Sequence, residues 1–279
     1  MALETTDLTK SLGTMVETDV ETLVSGAISA ELVELIQKRG VILFRGLEMD
    51  DEQQLAFTRT LGPVLGEKSG DVYKVTYDPR ESPQLYLYTP GNFFWHIDRT
   101  DADIPPFITM LNAKRLDPEG GDTEFANTYA AYDALFETDK RLIENLRVVH
   151  RVIDSFRFVP DPSQEQLDAW NSHEPKEHPL VWHHRDGRKS LILSTSGNKV
   201  VGLDDEESQA LLERLMAWAT QPQFVYRHQW QVGDIVMWNN TGTMHRAMHY
   251  PEDSPRLHHR TTVVGDEPFD PRRAAAVAA

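Results

Sequence analysis

With 279 residues, 40% of them hydrophobic and 26% charged, the chain has the composition of a globular protein with a sizeable core. Its 44 acidic and 28 basic residues give a formal net charge of −16, which excludes nonspecific binding to nucleic acid or to an anionic membrane, since both need basic surface. The absence of cysteine excludes disulfides, thiolate metal sites and a Cys nucleophile. The opening Met1-Ala2-Leu3-Glu4-Thr5-Thr6-Asp7 has no basic stretch leading into an apolar core, and no apolar run approaches the ~18 residues of a membrane span. A soluble, cytoplasmic protein acting on a small molecule is the expectation.

In chain order, Ser29–Arg39 predicts a helix: Ser29 caps it, Leu32, Leu35 and Ile36 share a face, and Gly40 stops it. Val41–Phe44 reads as a buried strand. Asp50–Leu61 predicts a second helix, capped by Asp50 with Gln53 three residues on and ended by Gly62-Pro63. Gly and Pro punctuate 64–90, with strands expected at Val72–Thr76 and Leu85–Tyr88. A strand at Phe107–Ala113 precedes the turn Asp117-Pro118-Glu119-Gly120-Gly121-Asp122. Helices are expected at Thr128–Phe136 and Asp139–Leu146, then a strand at Arg147–Ile153. Residues 154–179, polar and rich in proline, read as a long loop or lid-like excursion. Leu180–His183 and Ser190–Leu193 flank Arg185-Asp186-Gly187-Arg188 as a hairpin. Asp204–Ala219 is the clearest helix, with Asp204 and Glu207 as a capping pair and Leu211, Leu212, Leu215 and Trp218 on one face. Strands at Phe224–His228, Asp234–Trp238 and Arg260–Val264 close the chain, and 270–279 reads as a frayed tail. Many short strands with helices near the N-terminus and in insertions predict one α+β domain over 1–279, built on a β-sandwich or barrel.

The segment Asn92-Phe93-Phe94-Trp95-His96-Ile97-Asp98 carries the chemistry. In extended backbone His96 and Asp98 point to one side, with Trp95 and Ile97 turned to the core. A second imidazole would complete a 2-His-1-carboxylate set, which leaves coordination positions open and is diagnostic of non-haem Fe(II) oxygenases. His245, past the Asp234–Trp238 strand, ranks first as that ligand and His249 second, with His258 and His259 nearby. The spacing His245-x-x-x-His249 is that of a zinc helix, but Arg246 stands where such a site needs a Glu base. Of His183 and His184, neighbours on a strand, at most one can face a site. Arg256 and Arg260 share a face if extended, and an arginine fork suits an anionic co-substrate. Tyr73, Tyr77, Tyr88, Phe93, Phe94 and Trp95 are candidates to line an apolar pocket.

Together, these residues resemble the TauD/TfdA group of Fe(II)/2-oxoglutarate-dependent dioxygenases. The resemblance runs from Val41-Ile42-Leu43-Phe44-Arg45-Gly46 to Thr261-Thr262-Val263-Val264-Gly265-Asp266. Between them it rests on Trp95-His96-Ile97-Asp98, Gly120-Gly121-Asp122-Thr123-Glu124-Phe125, His178-Pro179-Leu180-Val181, Gly233-Asp234, and Trp238-Asn239-Asn240 through Met244-His245-Arg246-Ala247 to Arg256 and Arg260. It implies a double-stranded β-helix, or jelly roll, with flanking helices and a lid-like insertion. It implies His96, Asp98 and His245 as the catalytic iron ligands, and Thr123 and Arg256 as the holders of the far carboxylate of 2-oxoglutarate. Arg260 matches the arginine near the co-substrate's metal-binding end, which in some members also grips an anionic group of the substrate. Asn92 matches a position that touches substrate or the C1 carboxylate of 2-oxoglutarate, and Tyr73 and Phe94 are further substrate candidates. The implied cofactor is Fe(II), with 2-oxoglutarate and O2 as co-substrates and succinate and CO2 as products. Hydroxylation of an unactivated C–H is the expected outcome. C–O, C–N or C–S cleavage, desaturation and isonitrile formation are the alternatives, and a homodimer or homotetramer is compatible. A zinc hydrolase on the same ligands and a noncatalytic jelly-roll binding protein are the competing readings. Asp98, where a halogenase has Ala or Gly, speaks against halogenation. Asn239 replaces the family's usual Asp in Trp-Asp-Asn, which bears on hydrogen bonding around the second His.

Overall fold

Val41-Ile42-Leu43-Phe44 is apolar at every position because both of its faces are covered. The computed structural model, which describes residues 3–66, 72–83 and 85–271, shows what covers them. The N-terminal part runs β1 (Glu4–Asp7), β2 (Thr14–Glu17), α1 (Val20–Ser25), α2 (Ser29–Arg39), β3 (Val41–Phe44), α3 (Asp51–Leu61), β4 (Tyr73–Val75), β5 (Ile108–Arg115) and β6 (Thr123–Asn127). There follow α4 (Thr128–Asp133), α5 (Glu137–Ile143), β7 (Arg147–His150), α6 (Gln164–Asn171), β8 (Lys176–Pro179), β9 (Val181–His183), β10 (Lys189–Leu191) and β11 (Gly197–Val200). The chain closes with α7 (Asp205–Ala219), β12 (Val225–His228), β13 (Ile235–Asn239), β14 (Thr243–Ala247) and β15 (Leu257–Val263).

A seven-stranded sheet has the order β1-β2-β3-β13-β5-β15-β4, with β2–β3 its parallel pair. Smaller sheets are β12-β6-β14, β11-β7-β8 and the β9/β10 hairpin. Period-2 alternation sorts the large sheet's two faces. Ile42, Phe44, Ile108, Met110, Ile235 and Met237 pack under α1–α3 against Leu23, Leu32, Ile36 and Phe57. Val41, Leu43, Leu111, Val236 and Trp238 face inward and meet Phe125 of the β12-β6-β14 sheet. The inward face is therefore where a site can form between sheets. A third cluster, with Trp182, Leu191, Leu211, Leu215 and Phe269, fills the other half.

Local signals hold at most helix ends. Asp50 with Gln53, and Asp204 with Glu207, form complete capping boxes, each contributing about 1 kcal/mol. Gly40 ends α2 at φ 70°, its N–H donating to Ile36 O. The hairpin around Gly187 (φ 86°) pairs as expected.

Other expectations are corrected. Ser29 does not cap α2; Ile28 occupies that position, and Ser29 Oγ instead bonds Thr60 Oγ1 at 2.7 Å. Residues Leu85–Phe93 form a 3-10 helix, not a strand. Aromatics favour any half-buried surface, and here Trp170 and Phe156 supply one without a strand partner: Trp170 Nε1 donates to Leu87 O at 3.0 Å, and the Phe156 and Trp170 rings stack at 4.0 Å. The segment expected as a loop holds a 3-10 turn at Val152–Phe156, α6 with a Ser163/Gln166 capping box, and β8. Helix α4 stops at Asp133, α5 spans Glu137–Ile143, and β7 ends at His150. Strands β1, β2, β6, β11 and β14 and helix α1 were not expected. Asp270, placed in the tail, is pinned to Arg147 Nη1 at 2.7 Å; residues 272–279 lie outside the described part.

Four core imidazoles give the fold a pH dependence. Burial pushes His150 down to about 3 and lowers His178 and His228, and it lowers His258 further beside Arg256. Below an unfolded pKa near 6.5 the unfolded chain takes up protons at these positions that the native state refuses, so stability falls as pH falls. For His150 the loss runs from about pH 6.5 to about pH 3. Urea unfolding at pH 7.5 and 5.5 is expected to show a clear drop at the lower pH, roughly 1 kcal/mol from His150 alone, with His178, His228 and His258 adding in the same direction. Equal midpoints would contradict this assignment.

Candidate active site

The His96 segment is not a strand. His96 forms a single antiparallel bridge with His245, through His96 N–H to His245 O at 3.0 Å and His245 N–H to His96 O at 2.9 Å. The expected alternation survives around it: Trp95 and Ile97 turn into the core while His96 and Asp98 face the other way. His245 lies within β14, not beyond a strand end. One ligand atom from each of His96, Asp98 and His245 lies within 4.8 Å of the others. The two imidazole centroids are 4.2 Å apart, and His245 Nε2 is 3.9 Å from Asp98 Oδ1.

Their protonation suits a divalent metal. His96 Nδ1 donates to Phe94 O at 2.7 Å, which leaves the lone pair on Nε2. Burial lowers both imidazoles, His245 further with His96 beside it, so both are neutral. Asp98 keeps its charge: burial opposes ionisation, but Arg260 above all, with the Thr109 hydroxyl, holds it well below the carboxylate range. Arg260 Nη2 is 2.7 Å from Asp98 Oδ2, and Thr109 Oγ1 donates to the same oxygen at 2.7 Å. Two neutral nitrogens and one carboxylate are a donor set that fits Fe(II).

An anion cradle adjoins it. Arg256 is 3% exposed, and no carboxylate pairs with it among the described residues. Its guanidinium lies 4.6 Å over the Tyr250 ring, Nη2 reaches Gly121 O at 3.4 Å, and Nε has no partner among the described residues. A Cβ at Gly121 (φ 75°) would sit 3.1 Å from Nε, so glycine leaves the guanidinium its room. Thr123 Oγ1 accepts from Trp230 Nε1 at 3.0 Å. Thr123, Arg256, Arg260, Asn92, His96 and His245 line one inner cavity. An unpaired buried guanidinium there fits a dicarboxylate.

A second cavity of about 260 Å³ opens alongside, sharing Val75, Asn92 and Arg260 with the first. Tyr73, Tyr88, Leu65 and Leu85 line it, with Lys74 and Arg99 among its cations. Not every candidate arrives. Phe94 lines neither cavity and packs on Phe158 at 5.4 Å. Tyr77 and Phe93 cluster with Tyr250, and His249 stacks on Phe93 at 5.5 Å, outside the triad. His184 is held by Ser190, and neither His183 nor His184 joins the triad. Thr109 and Trp230 escaped the sequence reading, as did the part Gly121, expected there only as a turn and motif residue, plays in leaving room for Arg256. For Thr109 the available signal was a polar residue on the same face of its strand as Leu111 and Ala113.

The model of the taurine catabolism dioxygenase TauD, TfdA family matches residues 4–262. An alpha-ketoglutarate-dependent 2,4-dichlorophenoxyacetate dioxygenase of Cupriavidus pinatubonensis is 34% identical over 85% of this chain and 88% of its own. An alpha-ketoglutarate-dependent sulfate ester dioxygenase of Pseudomonas putida is 29% identical over 92% and 86%. The crystal structure of AAD-2 in complex with Mn(II) and N-oxalylglycine superposes with a TM-score of 0.81 at 32% identity, covering 96% of this chain and 100% of the other.

Proposed function

Because the chain belongs to the TauD/TfdA dioxygenase family, we propose that it oxidises a small organic acid with an apolar body, using His96, Asp98 and His245 to hold Fe(II). It is a 2-oxoglutarate-dependent dioxygenase, with Fe(II), 2-oxoglutarate and O2 as its cofactor and co-substrates. The observation that carries the residue assignment is the triad itself, two of whose members, His96 and His245, share one cavity with Arg256, a buried guanidinium without a carboxylate partner among the described residues, while Asp98 pairs with Arg260 on the same cavity wall. When bound, Fe(II) with 2-oxoglutarate would let O2 act as the oxidant, coupling release of succinate and CO2 to oxidation of a C–H bond.

The chain's residues position and neutralise. Arg256 and Thr123 take the far carboxylate of 2-oxoglutarate, where burial strengthens a bidentate pair. Arg260, at the junction of the two cavities, balances Asp98 and meets an anionic group of the substrate, with Asn92 beside it. Tyr73, Tyr88 and Leu85 exclude water around the apolar body. The excursion from Val152 to Asn171 acts as the lid over this wall; its support is the packing of Trp170 and Phe156 on the 85–93 segment and the bond from Tyr88 OH to Ala169 O at 3.3 Å. The sheets form a double-stranded β-helix within one domain. No helix among the described residues is long and apolar enough to cross a membrane.

A panel of aryloxyalkanoates, sulfonates and sulfate esters, scored by substrate-dependent succinate release, tests the substrate class. Arg260→Ala is expected to raise the KM of the active acid about tenfold or more, equivalent to ~1.4 kcal/mol. An unchanged KM would remove Arg260 from the substrate site. Release driven equally by neutral analogues would remove the acid preference.

A further inference from the structure

Asp98 Oδ2 takes the end of a buried hydrogen-bond chain whose direction is fixed by chemistry. The Trp238 indole N–H can only donate, and it does so to Asn240 Oδ1 at 3.1 Å. That orients the Asn240 amide, whose Nδ2 donates to Thr109 Oγ1 at 2.8 Å. With one lone pair so occupied, the Thr109 hydroxyl donates its proton to Asp98 Oδ2 at 2.7 Å. Trp238, Asn240 and Thr109 are each no more than 1% exposed, so water does not compete for these bonds.

The fold sets the register. Thr109 on β5 lies opposite Trp238 on β13, and Asn240 N–H donates to Phe107 O at 2.9 Å, which brings its amide to Thr109. Asp98 itself stands outside any strand, beside the β12-β6-β14 sheet that carries His245. The wire therefore ties the one carboxylate of the triad to the large sheet. Oδ2 is saturated by Thr109 and Arg260, while Oδ1 is the oxygen that faces His245.

We infer that Trp238, Asn240 and Thr109 are positioning residues that hold Asp98 with Oδ1 presented to the metal, and that Asn239 takes no part. The Asn239 Oδ1 accepts from Thr241 N–H at 2.9 Å and Thr241 Oγ1 at 2.6 Å, while its Nδ2 has no partner among the described residues. The position is used only as an acceptor, which an aspartate serves equally. This explains how the chain carries Asn there without touching the metal set.

The inference rests on reading His96, Asp98 and His245 as that set, and the experiment separates the two. Mn(II) affinity of the metal-free full chain is measured by the EPR signal of free Mn(II), alongside the thermal midpoint of the metal-free protein. Thr109→Val is expected to weaken Mn(II) binding about 10- to 100-fold, the range for losing an outer partner of a ligand, and Thr109→Ser to restore it. Asn240→Ala should also weaken binding, whereas Asn239→Asp should leave it unchanged. If Thr109→Val does not fold, the contrast between Asn240→Ala and Asn239→Asp decides. Wild-type affinity in both Thr109→Val and Asn240→Ala, failure of Thr109→Ser to restore it, or equal loss in Asn239→Asp would overturn the wire. A wild-type chain that binds no Mn(II) would instead overturn the metal set itself.

Discussion

Asp98→Ala is expected to abolish substrate-dependent succinate release and to weaken Mn(II) binding by more than about 100-fold, since losing even an outer partner of a ligand costs 10–100-fold. Asp98 is the only anion of the triad, and it is held ionised chiefly by Arg260 against the pull of burial. Without it, two neutral imidazoles face an uncompensated guanidinium, and that cluster repels a divalent cation. Thr109 Oγ1 also loses its acceptor in a fully buried position. Metal-free Asp98→Ala should therefore unfold at a lower temperature than wild type. Normal turnover by the purified variant would remove Asp98 from the metal site.

Arg256→Ala is expected to raise the KM for 2-oxoglutarate roughly 30-fold to several-thousand-fold, the effect of ~2–5 kcal/mol for one partner of a buried charge pair. Arg256→Lys should recover part of this only, because an ammonium lacks the planar fork. The stability readout has the opposite sign to the usual one. In the ligand-free protein Arg256 is a buried charge without a carboxylate partner, so its removal should not lower the thermal midpoint. Saturating 2-oxoglutarate with metal should raise the wild-type midpoint and leave that of Arg256→Ala nearly unmoved. A variant with wild-type KM for 2-oxoglutarate would place the far carboxylate elsewhere.

Several structural facts were legible in the linear chain because their causes are local. Capping boxes at Asp50/Gln53 and Asp204/Glu207 join residues three apart, and each helix begins where its box says. The Val41–Phe44 strand announced itself by being apolar on both faces. His96 and Asp98 were paired by their spacing alone, and the turn Asp117–Asp122 was legible in its Pro, Gly and Asp content, with Gly120 and Gly121 found at positive φ. Where the sequence misled, a distant partner overrode a local preference. Ser29 abandons its cap for Thr60, and the aromatic Leu85–Tyr88 stretch curls into a 3-10 helix against Trp170 and Phe156.

Composition, periodicity and spacing by themselves determined the charge balance, the lack of thiol chemistry, the principal helices and core strands, and a His-x-Asp pair in search of a third ligand. Only the tertiary structure decided that His245 and not His249 completes the cluster, because the backbone bridge to His96 fixes β14 149 residues downstream. It also decided that Phe94 leaves the pocket, that Arg260 reaches Asp98, and that Thr109 and Asn240 support it. The physical reason is common to all of these. Which way an isolated side chain points follows from its neighbours along the chain, but what it meets depends on pairing between strands far apart in sequence, which no local periodicity encodes.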